Sequence, residues 1–130
     1  MIKTYSGINI QWPISEEIVT GNKTIETRTY PIPTKYLNEE MLLIETPGKK
    51  GDFQARITAI IKFNRCIQYK NKSHFYKDSQ FHLVERGSPW EWKEKPKFGW
   101  VVELIHKFDK PIPFPKNLKK GILYTNNIKI

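Results

Sequence analysis

Residues 52 to 64, DFQARITAIIKFN, are the longest run of the chain in which apolar and polar side chains alternate. Alternation is typical of a β-strand with one buried face, because successive side chains of a strand point to opposite sides of the sheet. The apolar face of this run carries Phe53, Ala55, Ile57, Ala59, Ile61 and Phe63. The other face carries Gln54, Arg56, Thr58 and Lys62. The run therefore predicts a half-buried strand with a basic outer face.

Shorter apolar runs on both sides predict five further strands, at residues 7–12, about 24–30, 41–46, 98–108 and 121–125. A first short helix is predicted at ISEEIVT, residues 14–20, with Ser15 as its N-cap and Gly21 beyond its end. A second lies within residues 73–86, is capped by Ser73 or Asp78, and ends at Gly87. The short strands and short connections favour an α+β, mainly β fold, a small β-barrel of five to six strands with two short helices.

The composition predicts one soluble, cytoplasmic domain that spans residues 1–130. With 38% hydrophobic residues, the chain can bury a core of its own. No apolar run is long enough to cross a bilayer, and the first residues lack the apolar block of a secretory signal, so we expect no membrane partner. The single cysteine, Cys66, excludes an internal disulfide and a cysteine-rich zinc site.

The formal net charge of +9 is concentrated in the middle of the chain. Residues 49–77, here called the basic segment, hold Asp52 as their only acidic residue. The cations of the basic segment are Lys49, Lys50, Arg56, Lys62, Arg65, Lys70, Lys72 and Lys77. Aligned cations bind a polyanion by releasing its counterions, so the basic segment suits a nucleic-acid backbone. The alternative is a solvated, lysine-rich surface that aids solubility.

Residues 21–30, GNKTIETRTY, place three charged residues within six positions: Lys23, Glu26 and Arg28, here called the trio. At strand spacing Thr24, Glu26 and Arg28 share one face, while Ile25 points to the other side and into a core. An arginine fork binds a phosphate or a base edge, a glutamate accepts from an exocyclic amine or acts as a base, and a lysine neutralises phosphate. The trio therefore suits a nucleotide. The alternative is a structural cluster of ion pairs at the end of the barrel.

Two tryptophans, Trp90 and Trp92, lie in the predicted loop SPWEWKEKPK, residues 88–97, which is rich in lysine. Single-stranded nucleic-acid sites combine aromatic rings for base stacking with cations for the backbone. The alternative is that a tryptophan pins the loop onto the fold, and we favour this role for one of the two. Tyr30 is expected beside Arg28 in the same site.

The sequence lacks the signatures of metal-dependent and cofactor-dependent enzymes. Its histidines, His74, His82 and His106, do not share a metal-ligand spacing. No glycine-rich phosphate loop, nucleophile elbow or dinucleotide fingerprint is present. We therefore expect neither a metal nor a cofactor.

The stretch QWPISEEIVTGNKTIETRTY, residues 11–30, resembles the opening of the ASCH (activating signal cointegrator homology) domain of the PUA-like superfamily. The resemblance rests on the pattern Gly-x-Lys-x-x-Glu-x-Arg at Gly21, Lys23, Glu26 and Arg28. FGWVVE and PIPFPKNLKKGILY resemble the later strands of that domain, so the likeness spans nearly the full chain. The resemblance implies a PUA-like β-barrel with a cleft lined by the trio, and a link to RNA.

The resemblance implies RNA or another single-stranded nucleic acid as partner and leaves open whether the chain binds RNA or acts on it. Some ASCH proteins resemble amidohydrolases of acetylated cytidine that use a lysine and a threonine three positions later, where this chain has Glu26. Others are ribonucleases. In an enzyme the trio would be catalytic, with Lys23 and Glu26 as the acid/base pair. The expected nucleic-acid contacts are Thr24, Tyr30, Arg56, Lys62, Arg65, Trp90 and Trp92. A third possibility is a protein-interaction domain that uses the tryptophan loop.

Overall fold

The computed structural model describes residues 2–130. Six strands are formed: β1 (Thr4–Gln11), β2 (Ile25–Arg28), β3 (Glu40–Thr46), β4 (Arg56–Tyr69), β5 (Lys97–Pro113) and β6 (Tyr124–Lys129). The helices are short: α1 (Ile14–Val19), α2 (Lys72–Lys77), α3 (Ser79–His82) and a 3-10 turn at Thr34–Tyr36. The fold is mainly β with few short helices, as predicted. No helix within residues 2–130 is long and apolar enough to cross a membrane.

All six strands belong to one mixed sheet in the order β2-β5-β4-β3-β1-β6. β1 and β3 are parallel, and the other neighbours are antiparallel. In the part of the chain that the structure describes, β2 and β6 end the sheet and do not pair with each other, so the predicted closed barrel is not confirmed. Side chains bridge the opening instead: Arg28 donates to the Asn9 carbonyl at 3.3 Å, and the hydroxyls of Tyr30 and Tyr124 lie 3.4 Å apart.

Both faces of the sheet bury apolar side chains, because residues 41–44 of β3, MLLI, are apolar at consecutive positions. One cluster contains Met41, Leu43 and Trp100, and the other contains Leu42 and Ile44. Side chains on the second face include Ile57, Ile60 and Ile128. Of the side chains predicted for the outer face of the long strand, Thr58 is buried and Arg56 and Lys62 are half-buried, so the prediction of a solvent-exposed basic face is wrong for most of it.

A β-bulge in β4 also changes the predicted alternation. The register shifts between Ile57 and Ala59 in the pairing of β4 with both of its neighbours. An extra residue in a strand reverses the side on which the following side chains emerge. Ile57 therefore packs in the second cluster, whereas Ala59, Ile61 and Phe63 pack in the first.

The helix ends differ from those predicted. Ser15 does not cap α1: it is fully buried, and its hydroxyl donates to the Glu45 carboxylate at 2.7 Å. The second predicted helix is two helices, and Asn71 caps the first of them by accepting from the His74 N–H, in place of Ser73 or Asp78. The second ends at Leu83, whose φ of 59° is left-handed, before Gly87 is reached. Local capping patterns are ambiguous here because several Asn, Ser and Asp side chains compete for the same backbone donors.

Ile25→Ala is expected to lower the free energy of unfolding by about 2 to 5 kcal/mol, because it leaves a cavity in a packed site. Ile25 is 5% exposed and packs so closely over Gly99 that no side chain fits between them. Urea unfolding followed by circular dichroism measures the loss. The matched control is Ile122→Ala, at a residue that is 93% exposed, with an expected change within about 0.5 kcal/mol. Equal losses in the two variants would contradict the assignment of Ile25 to the interior.

Candidate functional site

A cleft of about 550 Å³ opens beside β2 and contains all three side chains of the trio. Residues 27–30 of β2 and the following turn form one wall. Further lining residues are 82–85, at the end of α3 and beyond it, together with Ser88, Trp90 and Lys97. This volume lies within the range of pockets that hold small ligands.

The trio forms one connected ion cluster. The Glu26 carboxylate lies at its centre, with one oxygen 3.8 Å from the Lys23 ammonium and the other 3.1 Å from the Arg28 guanidinium. The Lys23 ammonium also donates to the backbone carbonyl of His82. Lys23 and Glu26 are only 6% and 7% exposed. The cluster is therefore buried at the base of the cleft rather than spread over a surface.

Backbone hydrogen bonds hold the trio in place. Gly21 ends α1 with a φ of 85°, which glycine adopts readily. The Lys23 N–H then donates to the Glu17 carbonyl at 2.9 Å, which ties the turn to α1. Glu26 pairs with Trp100 across the antiparallel β2–β5 ladder, and the Arg28 guanidinium stacks 5.6 Å above the Trp100 ring. The side chains of the trio thus emerge on the side of the buried tryptophan.

Burial lowers the pKa of the Lys23 ammonium, and the Glu26 carboxylate offsets this only in part, while Arg28 lowers the pKa further. A lysine whose charged form is destabilised in this way exchanges its proton more readily than a surface lysine does. A new anionic partner also stabilises its charged form more than it would stabilise that of a surface lysine. The cluster can therefore act on a ligand either as a charge or as an acid/base pair.

The two loop tryptophans have different surroundings. Trp90 lines the cleft and is 46% exposed. Trp92 packs on Phe75 with 5.8 Å between ring centroids, and its backbone N–H donates to the Tyr76 hydroxyl at 3.2 Å. Trp92 thus holds the loop against α2, while the Trp90 ring is available beside the cleft. Tyr30 also lines the cleft, with its ring edge-on to Trp100.

The other residues predicted from sequence lie outside the cleft. The backbone of Thr24 bonds Phe81 and Val102, and this residue does not line the cleft. Arg56 donates to the Glu45 carboxylate at 2.7 Å and stacks over Phe53. Lys62 and Arg65 lie along β4, where Arg65 is exposed and Lys62 half-buried. The structure brings Lys23, Glu26, Arg28, Tyr30 and Trp90 together and does not bring these three cations to them.

Sequence reasoning missed two elements of the cleft. The His82 carbonyl holds Lys23, although nothing in the sequence connects residues 59 positions apart. Lys97 is buried at the cleft and donates to the Trp90 carbonyl at 2.7 Å, although its position among other loop lysines suggested a surface residue. Within residues 2–130 no group of histidine, cysteine or acidic side chains could hold a metal ion.

Acidification is expected to destabilise the fold through His82. Its ring is fully buried, Nδ1 accepts from the Val84 N–H at 3.0 Å, and Nε2 donates to the Phe75 carbonyl at 2.7 Å. Burial lowers the pKa of this histidine below 6.5, and the nearby Lys23 lowers it further. The unfolded chain then binds a proton that the folded chain does not. The stabilising contribution of neutral His82 is therefore fully present above about pH 6.5. As the pH falls from there towards the pKa of His82 in the folded chain, the free energy of unfolding decreases by up to about 1.4 kcal/mol per pH unit.

Urea unfolding at pH values from about 7.5 to about 5 measures the slope of the free energy of unfolding against pH. His82→Gln should make the slope shallower, whereas the control His106→Gln, at an exposed position, should leave it unchanged. An equal slope in His82→Gln and the parent chain would assign the acid sensitivity to other groups.

No family model and no curated protein sequence matches this chain. Among solved structures it is similar to the ASCH protein of Zymomonas mobilis, with a TM-score of 0.65 and 14% identity over 94% of this chain and 86% of the other. A tyrosine-to-phenylalanine mutant of that protein gives a TM-score of 0.64 at 14% identity, over 95% and 90% of the two chains. A serine-to-alanine mutant gives 0.63 at 12% identity, over 94% and 87%. The chain therefore has the fold of an ASCH domain.

Proposed function

We propose that this ASCH-fold chain binds single-stranded RNA and holds one of its nucleotides in the cleft. The observation that carries the proposal is the convergence of the trio at the base of an open cleft of about 550 Å³ whose mouth is flanked by Trp90. The fold alone does not decide function, whereas the residues of this site determine what it can bind.

The chemistry of the cleft suits a base that has left its stack. The exposed Trp90 ring offers a stacking surface, and base stacking on an aromatic ring contributes about 1 to 3 kcal/mol. Each Glu26 oxygen has one cationic neighbour and can still accept from an exocyclic amine. Arg28 uses one terminal nitrogen for Glu26 and Asn9, which leaves further N–H groups for a base edge or a phosphate. A base inside a duplex cannot reach these groups, whereas an unpaired one can.

The remainder of the RNA backbone would contact the exposed cations of the basic segment. Exposed cations lie on β4, on α2 and in the turn between them: Arg65, Lys70, Lys72 and Lys77. Arg56 is already paired with Glu45 and contributes less. Because these contacts are electrostatic, they bind RNA without regard to sequence, and any preference for a base arises in the cleft.

Fluorescence anisotropy of a labelled single-stranded RNA tests the proposal. We expect affinity to fall steeply between about 50 and 300 mM salt. In a plot of the logarithm of the affinity against the logarithm of the salt concentration, each neutralised phosphate of a single strand contributes about −0.7 to the slope. A double-stranded RNA of the same sequence is the control and should bind more weakly, because its bases are not available to the cleft. Folded protein that fails to bind single-stranded RNA even at low salt would refute the proposal, as would equal affinity for both RNAs.

A second candidate function is hydrolysis in the same cleft, either of RNA or of acetylated cytidine. The lowered pKa of Lys23, caused mainly by burial, and the Glu26 carboxylate 3.8 Å away favour it, because these groups could exchange a proton with a ligand. Cleavage of RNA would need a base, an acid and a cation beside the phosphate, roles for Glu26, Lys23 and Arg28. Deacetylation is expected to be weak or absent, because Glu26 stands where the related amidohydrolases have threonine.

Purified protein is incubated with labelled RNA and, separately, with acetylated cytidine, each beside Lys23→Ala. Turnover that disappears in Lys23→Ala would favour the enzyme over the binding protein. Turnover that persists in the variant would come from a different site or a contaminant and would exclude this mechanism.

A further inference from the structure

Lys97 is a buried lysine that the trio does not explain. It begins β5, the strand that pairs with β2, is 8% exposed, and lines the cleft. Its ammonium donates to one backbone carbonyl, that of Trp90, and no carboxylate pairs with it anywhere in residues 2–130. A lysine ammonium has three donors, so two of them remain for a ligand.

The inner part of the cleft holds more positive than negative charge. Its cations are Lys23, Arg28 and Lys97, while Glu26 is the single carboxylate between them. Two further acids line the cleft: Glu85 is exposed, whereas Glu17 is half-buried, accepts from the Asn22 amide and raises the pKa of Lys23. An exposed charge is solvated and screened, so Glu85 offsets the inner cations weakly, while Glu17 offsets part of the charge of Lys23 and leaves Lys97 without a carboxylate partner.

Lys23 also destabilises the charged form of Lys97. Burial lowers the pKa of Lys97, and the ammonium groups of Lys93 and Lys23 lower it further, while Glu26 acts in the opposite direction. An anion bound in the cleft that both buried lysines line would stabilise their charged forms, which burial disfavours.

We propose that Lys97 and Lys23 form an anion subsite within the cleft that binds a phosphate group of the nucleotide. This inference rests on the proposed function and deepens it, because it makes the ligand a phosphorylated nucleotide rather than a free base or nucleoside. Lys97 has a second effect. Because its ammonium also bonds the Trp90 carbonyl, the subsite is tied to the backbone that carries the stacking ring.

The inference is tested by titrating the protein with each common ribonucleoside and with its 5′- and 3′-monophosphates at constant ionic strength. Chemical shifts of the tryptophan indole N–H groups report binding. We expect at least one monophosphate to bind about tenfold to hundredfold more tightly than its nucleoside, since a charge-assisted hydrogen bond contributes about 1.5 to 3 kcal/mol. Lys97→Gln, which keeps a donor but removes the charge, should reduce this ratio to about threefold or less.

Lys95→Gln, at an exposed lysine two positions earlier, is the matched control and should retain the full ratio. A parent chain that binds nucleosides and monophosphates equally, or binds none of them, would overturn the subsite. A ratio that survives in Lys97→Gln would also overturn it. The parent chain's own preference is measured independently of any variant, so poor folding of Lys97→Gln does not remove the test.

The RNA titration run in parallel separates this inference from the proposed function. RNA binding without a preference for monophosphates contradicts the anion subsite and leaves RNA binding standing. A Lys97-dependent preference for monophosphates without RNA binding supports the subsite and contradicts RNA as the partner. Failure of both titrations contradicts both.

Discussion

Replacing Glu26 with glutamine is expected to lower the free energy of unfolding by about 3 to 5 kcal/mol, because removal of one partner from a buried ion cluster leaves uncompensated charge. Glu26 is the carboxylate that both Lys23 and Arg28 contact, at 3.8 Å and 3.1 Å. Glutamine has nearly the same shape, so the loss reports charge and hydrogen bonding rather than packing. Urea unfolding near neutral pH measures it.

Glu39→Gln is the matched control for this prediction, because Glu39 is exposed and forms no ion pair within residues 2–130. Its change should lie within about 0.5 kcal/mol. Adding Lys23→Met to Glu26→Gln should recover part of the loss, because one of the two uncompensated cations is then absent. A loss no larger than that of the control would mean that water reaches and stabilises the cations.

Replacing Lys23 with methionine is expected to weaken binding of single-stranded RNA about tenfold to hundredfold, the effect of losing one charge-assisted hydrogen bond to the ligand. The same change should alter the free energy of unfolding by only about 1 kcal/mol or less, because the buried ammonium carries a desolvation cost that methionine does not. The lowered pKa of Lys23, caused first by burial, indicates that cost. Paired anisotropy titrations and urea unfolding separate the two effects.

Lys49→Met is the control for charge alone, since Lys49 is an exposed cation of the basic segment and lies outside the cleft. It should weaken RNA binding only slightly, by about threefold or less, and similarly for every RNA sequence. If Lys23→Met unfolds the protein, Lys23 is a structural residue. If Lys23→Met and Lys49→Met weaken binding equally, the cleft is not the binding site.

The sequence predicted the type of most elements because alternation and turn signals are local. The antiparallel pairing of β2 with β5 preserves the predicted separation of Glu26 from Ile25 on opposite faces of the strand, since side chains of a strand alternate whatever its partner is. Gly21 was predicted to end the first helix, and its φ of 85° confirms this. Strand spacing also placed Glu26 and Arg28 on one face, and the turn after Gly21 was expected to bring Lys23 near them.

The tertiary structure decided how far the sheet closes and what faces the trio. Whether β2 pairs with β6 depends on the twist and the bulges of all six strands together. A single bulge between Ile57 and Ala59 was enough to place Ile57 on the opposite face from Ala59, although alternation predicted one shared face. The His82 carbonyl, the buried position of Lys97 and the different surroundings of Trp90 and Trp92 result from contacts between distant segments. Residue type and spacing carry no record of such contacts, because burial of a polar group is determined by the partners that surround it in the folded chain.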